Sequence, residues 1–302
     1  MPPLVPRGAV AYRAGAAVAQ HVPPSVGIPV SRALARAAAP LLGDSRRLLT
    51  RHISRAKSGH LDARALRRGV NEAFSSYGRY WYELLRLPAE VRKGRIDDHI
   101  QVTGFEHILA GLEAGNGVIM ALPHLGGWEF AGAWIAGQGI RVLAVAEPLE
   151  PAEVFEWFVS VRESIGIDVV ALGHDAVSVL VSALRANRVI ALVCDRDLTG
   201  DGVEVEFFGE CTRVPGGPAL LALRTGAVLL PVAAYFRPRG GHEVVIRPPI
   251  AVERHGRLRD DISRVSQSLV TELEKLIAAE PEQWRMLQPN WPSDHQADHQ
   301  AR

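Results

Sequence analysis

His124 and Glu129 stand five residues apart in Leu122-Pro123-His124-Leu125-Gly126-Gly127-Trp128-Glu129, a spacing that sets an imidazole near a carboxylate. An imidazole titrates near neutrality, so it can take a proton from an attacking hydroxyl and pass it to a leaving group. A carboxylate beside it fixes the tautomer and stabilises the imidazolium that forms. His124 is therefore the candidate catalytic base, and Glu129 is placed to reach back and orient it. A loop His beside a helix-start Glu stabilised by the dipole is also common without catalysis, so the pair needs support from elsewhere in the chain.

A second acidic group stands at Asp195-Arg196-Asp197, after the apolar run Arg188–Cys194 and before the turn Gly200-Asp201-Gly202. These carboxylates read either as an ion-pair cluster around Arg196 or as the acidic partner of His124. Asp195 directly follows the run and is the preferred partner; Asp197 and Glu204 compete only if the loop folds back.

The elements that must position these groups are legible in outline. Gly117–Leu122 is an apolar run that Pro123 stops, and Gly126-Gly127 permits a sharp turn into a helix. Strands near 117–122, 142–146, 168–172, 188–194, 203–208, 227–235 and 243–248 alternate with helices near 105–114, 126–137, 151–165, 176–186, 216–225 and 260–279. That alternation predicts an α/β fold with a largely parallel central sheet covered by helices, whose strand carboxyl ends bind ligand. Upstream, 61–87 reads as a long helix with an aromatic stripe of core residues, ended by Pro88. Residues 1–100 form a basic helical extension, 101–292 the α/β core, and 293–302, rich in His, Asp and Gln, a disordered tail.

Residues 1–70 carry twelve Lys and Arg against two acidic residues, a net of +10, and the other 232 residues carry −9. No nucleic-acid motif accompanies the basic arm, so nucleic acid is not expected as a partner. Residues 31–49 read as an amphipathic helix with a basic and an apolar face, suited to an anionic membrane surface; docking on the core is the alternative. The apolar runs fall short of a membrane span, and no signal peptide is apparent, which predicts peripheral attachment at the cytoplasmic face. The two cysteines, Cys194 at a strand end and Cys211 in a loop, fit a reducing compartment, and neither reads as a nucleophile. A G-x-S-x-G elbow, a Walker A loop, a G-x-G-x-x-G turn and zinc-ligand spacing are all missing, and Ser54-Arg55-Ala56-Lys57 matches S-x-x-K by chance, so neither metal nor cofactor is expected.

The H-x4-E spacing, with ALPHLGGWEFAG, VSVRESIG, DRDLTGDGVEVEFFGECTRVPGGPALLALRTGA and QWRMLQPNW in order, resembles the actinobacterial phosphatidylinositol mannoside acyltransferases of the glycerol-3-phosphate and lipid A acyltransferase superfamily. These blocks span most of residues 75–292. The resemblance implies that His124 is the base, Glu129 the acidic end of its motif, Asp195 the partner of the base and Arg162 an active-site arginine. It also implies that Asp201 and Arg224 fall at the acyl-donor site, although their residue types differ from the family's. A member of the family has Glu at the position of Asp195, and the shorter side chain here leaves room for a bridging water. A long acyl chain, palmitoyl, would move from acyl-CoA as co-substrate to a mannose hydroxyl of a phosphatidylinositol mannoside with one or two mannoses. Arg162, Arg196 or backbone N–H groups at the start of the helix from 126 could stabilise the oxyanion. The rival readings are a lipid A type lauroyl or myristoyl transferase, against which Gln288-Pro289-Asn290-Trp291 speaks, and a non-catalytic lipid-binding protein.

Overall fold

The structure, a computed structural model, describes residues 8–238 and 240–294. Four helices come first: α1 (Ala9–His21), α2 (Pro24–Ala38), α3 (Gly43–Ala56) and α4 (Ala63–Arg92). Strands and helices then alternate through β1 (Ile100–Thr103), α5 (Phe105–Glu113), β2 (Val118–Leu122), α6 (Trp128–Gly137), β3 (Val142–Ala146), α7 (Ala152–Glu163), β4 (Ile167–Ala171), α8 (Ala176–Arg185) and β5 (Val189–Val193). The hairpin β6 (Val203–Phe207) and β7 (Glu210–Val214) precedes α9 (Gly217–Thr225), β8 (Val228–Phe236), β9 (His242–Ile246) and α10 (Leu258–Ala279).

The predicted fold class is borne out. Seven strands form one sheet in the order β1-β9-β8-β2-β5-β3-β4, and every neighbouring pair is parallel except β8 with β9. All of β2 is buried because both faces of the sheet are covered. Ile119 and Ala121 join Ile190 and Leu192 in a core that also takes in α8, α9 and α10, while Val118, Met120 and Leu122 pack with Val189, Ala191, Leu87 and Trp128 on the other face. The period of two thus splits one apolar run between two cores, and each fully buried Val, Leu or Ile contributes roughly 1.5–3 kcal/mol.

Several expectations are corrected. The strand near 203–208 lies outside the central sheet, pairing with β7 in a separate antiparallel hairpin that packs against α10, while β1 joins the sheet edge in its place. Cys211 is in β7, not in a loop. Pro88 does not end α4, which runs to Arg92; a proline removes one donor, and here burial of Leu87, Pro88 and Ala89 holds the last turn together. The helix expected over 31–49 is two helices separated by a 3-10 turn at Ala39–Leu41. Its second half buries Leu48, Leu49 and Ile53 against the core, whereas along α2 Val26, Val30 and Leu34 recur every fourth residue and stay exposed. Asp294, assigned to the tail, is fully buried, with its carboxylate bonded to His52 at 3.1 Å and Arg55 at 2.9 Å; residues 295–302 lie outside the described residues. Among the described residues, no helix is long and apolar enough to cross a membrane.

Candidate active site

The sheet register brings His124 and Asp195 together. Leu122 at the end of β2 is paired with Val193 at the end of β5, and each functional residue lies two positions further on. The chain leaves β2 through Pro123 and turns at Gly126, whose φ is +53° and whose missing Cβ would stand 1.7 Å from the carbonyl oxygen of Ala234. A side chain there would push the loop off the sheet.

Asp195 Oδ1 lies 2.6 Å from His124 Nδ1, and Oδ2 accepts the His124 backbone N–H at 2.9 Å. The contact is direct and leaves no gap for a bridging water. Trp284 supplies a third donor, its indole N–H reaching Oδ2 at 2.7 Å. Asp195 is fully buried, and burial alone would raise its pKa; the neighbouring His124 and these hydrogen bonds outweigh that, bringing it from 3.8 down to about 2. An ionised Asp195 fixes the proton on Nδ1, so Nε2 is the nitrogen left to accept one.

Glu129 does not orient His124. Its Oε1 accepts the Tyr80 hydroxyl at 3.0 Å and Arg162 Nη2 at 3.2 Å, and it is buried between α4 and α7. The reason is geometric: α6 starts at Trp128, so Glu129 faces the helices packed outside it, and the turn needs no support from its side chain. Burial drives the Tyr80 hydroxyl pKa up, with the adjacent Glu129 charge adding to it, so Tyr80 stays neutral and donates. Arg162 lies with its guanidinium carbon 5.0 Å from the centre of the Trp128 ring.

These groups border a cavity of about 470 Å³, within the size range of ligand sites. Its wall carries the cationic groups of Arg162, Arg196 and Arg285 beside His124, the carboxylates of Glu147 and Asp197, and the polar Thr199 and Gln288; the rest is mostly aromatic on the α4 side and aliphatic from α8, α9 and β5 on the other. Arg196 bonds Gln288 and Glu147 and does not bridge two carboxylates. Asp197 instead caps its own loop, accepting N–H groups of Thr199, Gly200 and Gly202. Glu204 is exposed in β6 opposite Arg213. Asp201 and Arg224 are exposed and do not line the cavity. Cys194 is buried, and burial with the neighbouring Asp195 charge pushes its thiol up, which disfavours a thiolate nucleophile.

Tyr80, Trp284 and Arg285 carry no sequence signal of a role in the site. Tyr80 lies in an aromatic stripe that reads as core, and the other two belong to the block Gln283–Trp291 without any periodicity of their own. Arg285 donates its backbone N–H to the His124 carbonyl at 2.8 Å and its side chain to the Gly126 carbonyl, with its guanidinium carbon 3.7 Å from the centre of the Tyr80 ring.

A His–Asp pair at the carboxyl edge of a parallel sheet, opening on a largely apolar cavity, is an arrangement suited to moving a proton beside a greasy group. The chain belongs to the bacterial lipid A biosynthesis acyltransferase family, whose sequence pattern matches residues 4–293, and it is an O-acyltransferase. It is 42% identical over 228 residues to the phosphatidylinositol mannoside acyltransferase of Mycobacterium tuberculosis, covering 74% of this chain and 70% of that one. The enzyme of the same name from Mycolicibacterium smegmatis is 38% identical over 236 residues, covering 77% and 75%.

Proposed function

We propose that the enzyme transfers a long acyl chain, palmitoyl, from acyl-CoA to a mannose hydroxyl of a phosphatidylinositol mannoside bearing one or two mannoses, with His124 as general base. The observation that carries this is the His124–Asp195 pair on the wall of an apolar cavity, in a chain whose relatives bear that acceptor in their names. The mannose oxygen attacks the thioester carbonyl while Nε2 takes its proton. The tetrahedral intermediate collapses with cleavage of the C–S bond, and the proton goes to the departing thiolate, giving ester and free CoA. Arg162 on the cavity wall offers a cationic donor to the oxyanion. The nucleotide end of acyl-CoA is too polar for the cavity and extends outward, where Asp201 and Arg224 are exposed.

The lipid acceptor supports peripheral attachment at the cytoplasmic face of the cell membrane. Among the described residues, Val26, Val30 and Leu34 on α2, with Leu41 beyond it, form an exposed apolar stripe. The test is release of CoA from palmitoyl-CoA by purified protein in detergent micelles, with phosphatidylinositol mannoside, a lipid A precursor or no acceptor. Release dependent on the mannoside is expected. Equal release in all three arms, or a preference for the lipid A precursor, contradicts the proposal.

A further inference from the structure

We infer that Trp284 is a positioning residue for the reaction: its indole N–H fixes the rotation of the Asp195 carboxylate, and through it the ring of His124. The inference rests on His124 being the base.

Each carboxylate oxygen has a distinct set of donors. Oδ2 receives the His124 backbone N–H at 2.9 Å and Trp284 Nε1 at 2.7 Å, which leaves Oδ1 for His124 Nδ1 at 2.6 Å. A carboxylate pinned through one oxygen presents the other at a set angle, and a buried carboxylate has no water to replace a missing donor. Trp284 is itself immobilised. It is 2% exposed and packs against Phe207, His52 and Trp291. Its backbone forms an isolated β-bridge with Leu125, flanked by Gly126 N–H to the Gln283 carbonyl at 3.1 Å and Arg285 N–H to the His124 carbonyl at 2.8 Å. One three-residue stretch therefore grips the His124 loop by its backbone and Asp195 by a side chain. Trp284 is absent from the cavity wall, so it acts through Asp195 and not on substrate.

Trp291 provides a matched control. It is 1% exposed in the same aromatic cluster, but its indole N–H goes to the Phe207 carbonyl at 3.0 Å and not to the His–Asp pair. Trp284→Phe and Trp291→Phe remove the same atoms from neighbouring sites. In the CoA-release assay, Trp284→Phe is expected to lower kcat ten- to a hundredfold, with KM for donor and acceptor within about twofold of wild type, as befits a lost hydrogen bond to a charged group. The acid limb of its kcat/KM profile moves to higher pH, because a carboxylate that has lost a donor stabilises the adjacent imidazolium more strongly. Tyr80, Glu129, Glu147, Arg162, Cys194, Arg196, Asp197 and Arg285 around the pair, and His52 with Asp294 and Arg55 against both tryptophan rings, are the same in both variants, so they cancel in the comparison. Trp291→Phe keeps kcat and the pH profile while losing comparable thermal stability. Equal kinetics for the two variants overturns the inference. If His124→Ala is as active as wild type, the base assignment itself fails, a result separable from the first. Should Trp284→Phe not fold, the indole N–H resonances of 15N-tryptophan-labelled wild type decide: that of Trp284 shifts as His124 titrates and that of Trp291 does not, and a Trp284 resonance indifferent to pH refutes the role.

Discussion

Asp195 Oδ1 stands 2.6 Å from His124 Nδ1 because two parallel strands, paired from Val118 with Val189 to Leu122 with Val193, release their chains at the same level of the sheet. Replacing Asp195 by Asn keeps the volume but removes the charge that stabilises an imidazolium on proton transfer. The expected loss in kcat is on the order of 10²- to 10⁴-fold, with substrate KM little changed. Steady-state kinetics on folded Asp195→Asn protein checks this.

The same carboxylate makes stability depend on pH. Its folded-state pKa is depressed from 3.8 to about 2, so its contribution is fully present above pH 3.8 and is lost as pH falls toward 2. Linkage over that interval amounts to about 2 kcal/mol. Urea unfolding at pH 6 and at pH 2.5 should therefore show a larger loss for wild type than for Asp195→Asn.

Glu129 binds Tyr80 and Arg162, and its removal leaves a guanidinium and a hydroxyl without their acceptor. Glu129→Ala is expected to cost about 3 kcal/mol of stability, read by chemical denaturation, because one half of a nearly buried pair is stranded. Glu129→Gln, which keeps an acceptor, should cost less. Since Glu129 does not contact His124, the acid limb of the Glu129→Gln rate profile should match wild type.

Val26, Val30 and Leu34 lie on one side of α2 and are half exposed or more. Replacing all three by Ser should reduce sedimentation with anionic vesicles at least tenfold while leaving the melting temperature within a few degrees, since these side chains bury little in the protein. Undiminished vesicle binding would place the membrane contact elsewhere.

His124 and Asp195 were legible as strand-end residues because apolar runs ending at Pro123 and Cys194 put them there. The register that joins them was not, since pairing between β2 and β5 leaves no local pattern. Glu129 was misassigned for a related reason: spacing shows that it is near His124 along the chain, while the entry angle of α6 decides what it faces. The β6–β7 hairpin has the same alternation as a strand of the main sheet, so periodicity cannot tell where it pairs. Trp284 meets Asp195 across 89 residues and carries no signal short of the fold itself.

With His124 as the base of a thioester-to-hydroxyl transfer, acceptor-dependent CoA release must differ between wild type and folded His124→Ala protein. The general-base assignment predicts that the variant loses at least a hundredfold in kcat while still binding palmitoyl-CoA, because its cavity is otherwise intact. Turnover by His124→Ala equal to that of wild type would contradict it and leave Asp195 as a structural carboxylate only.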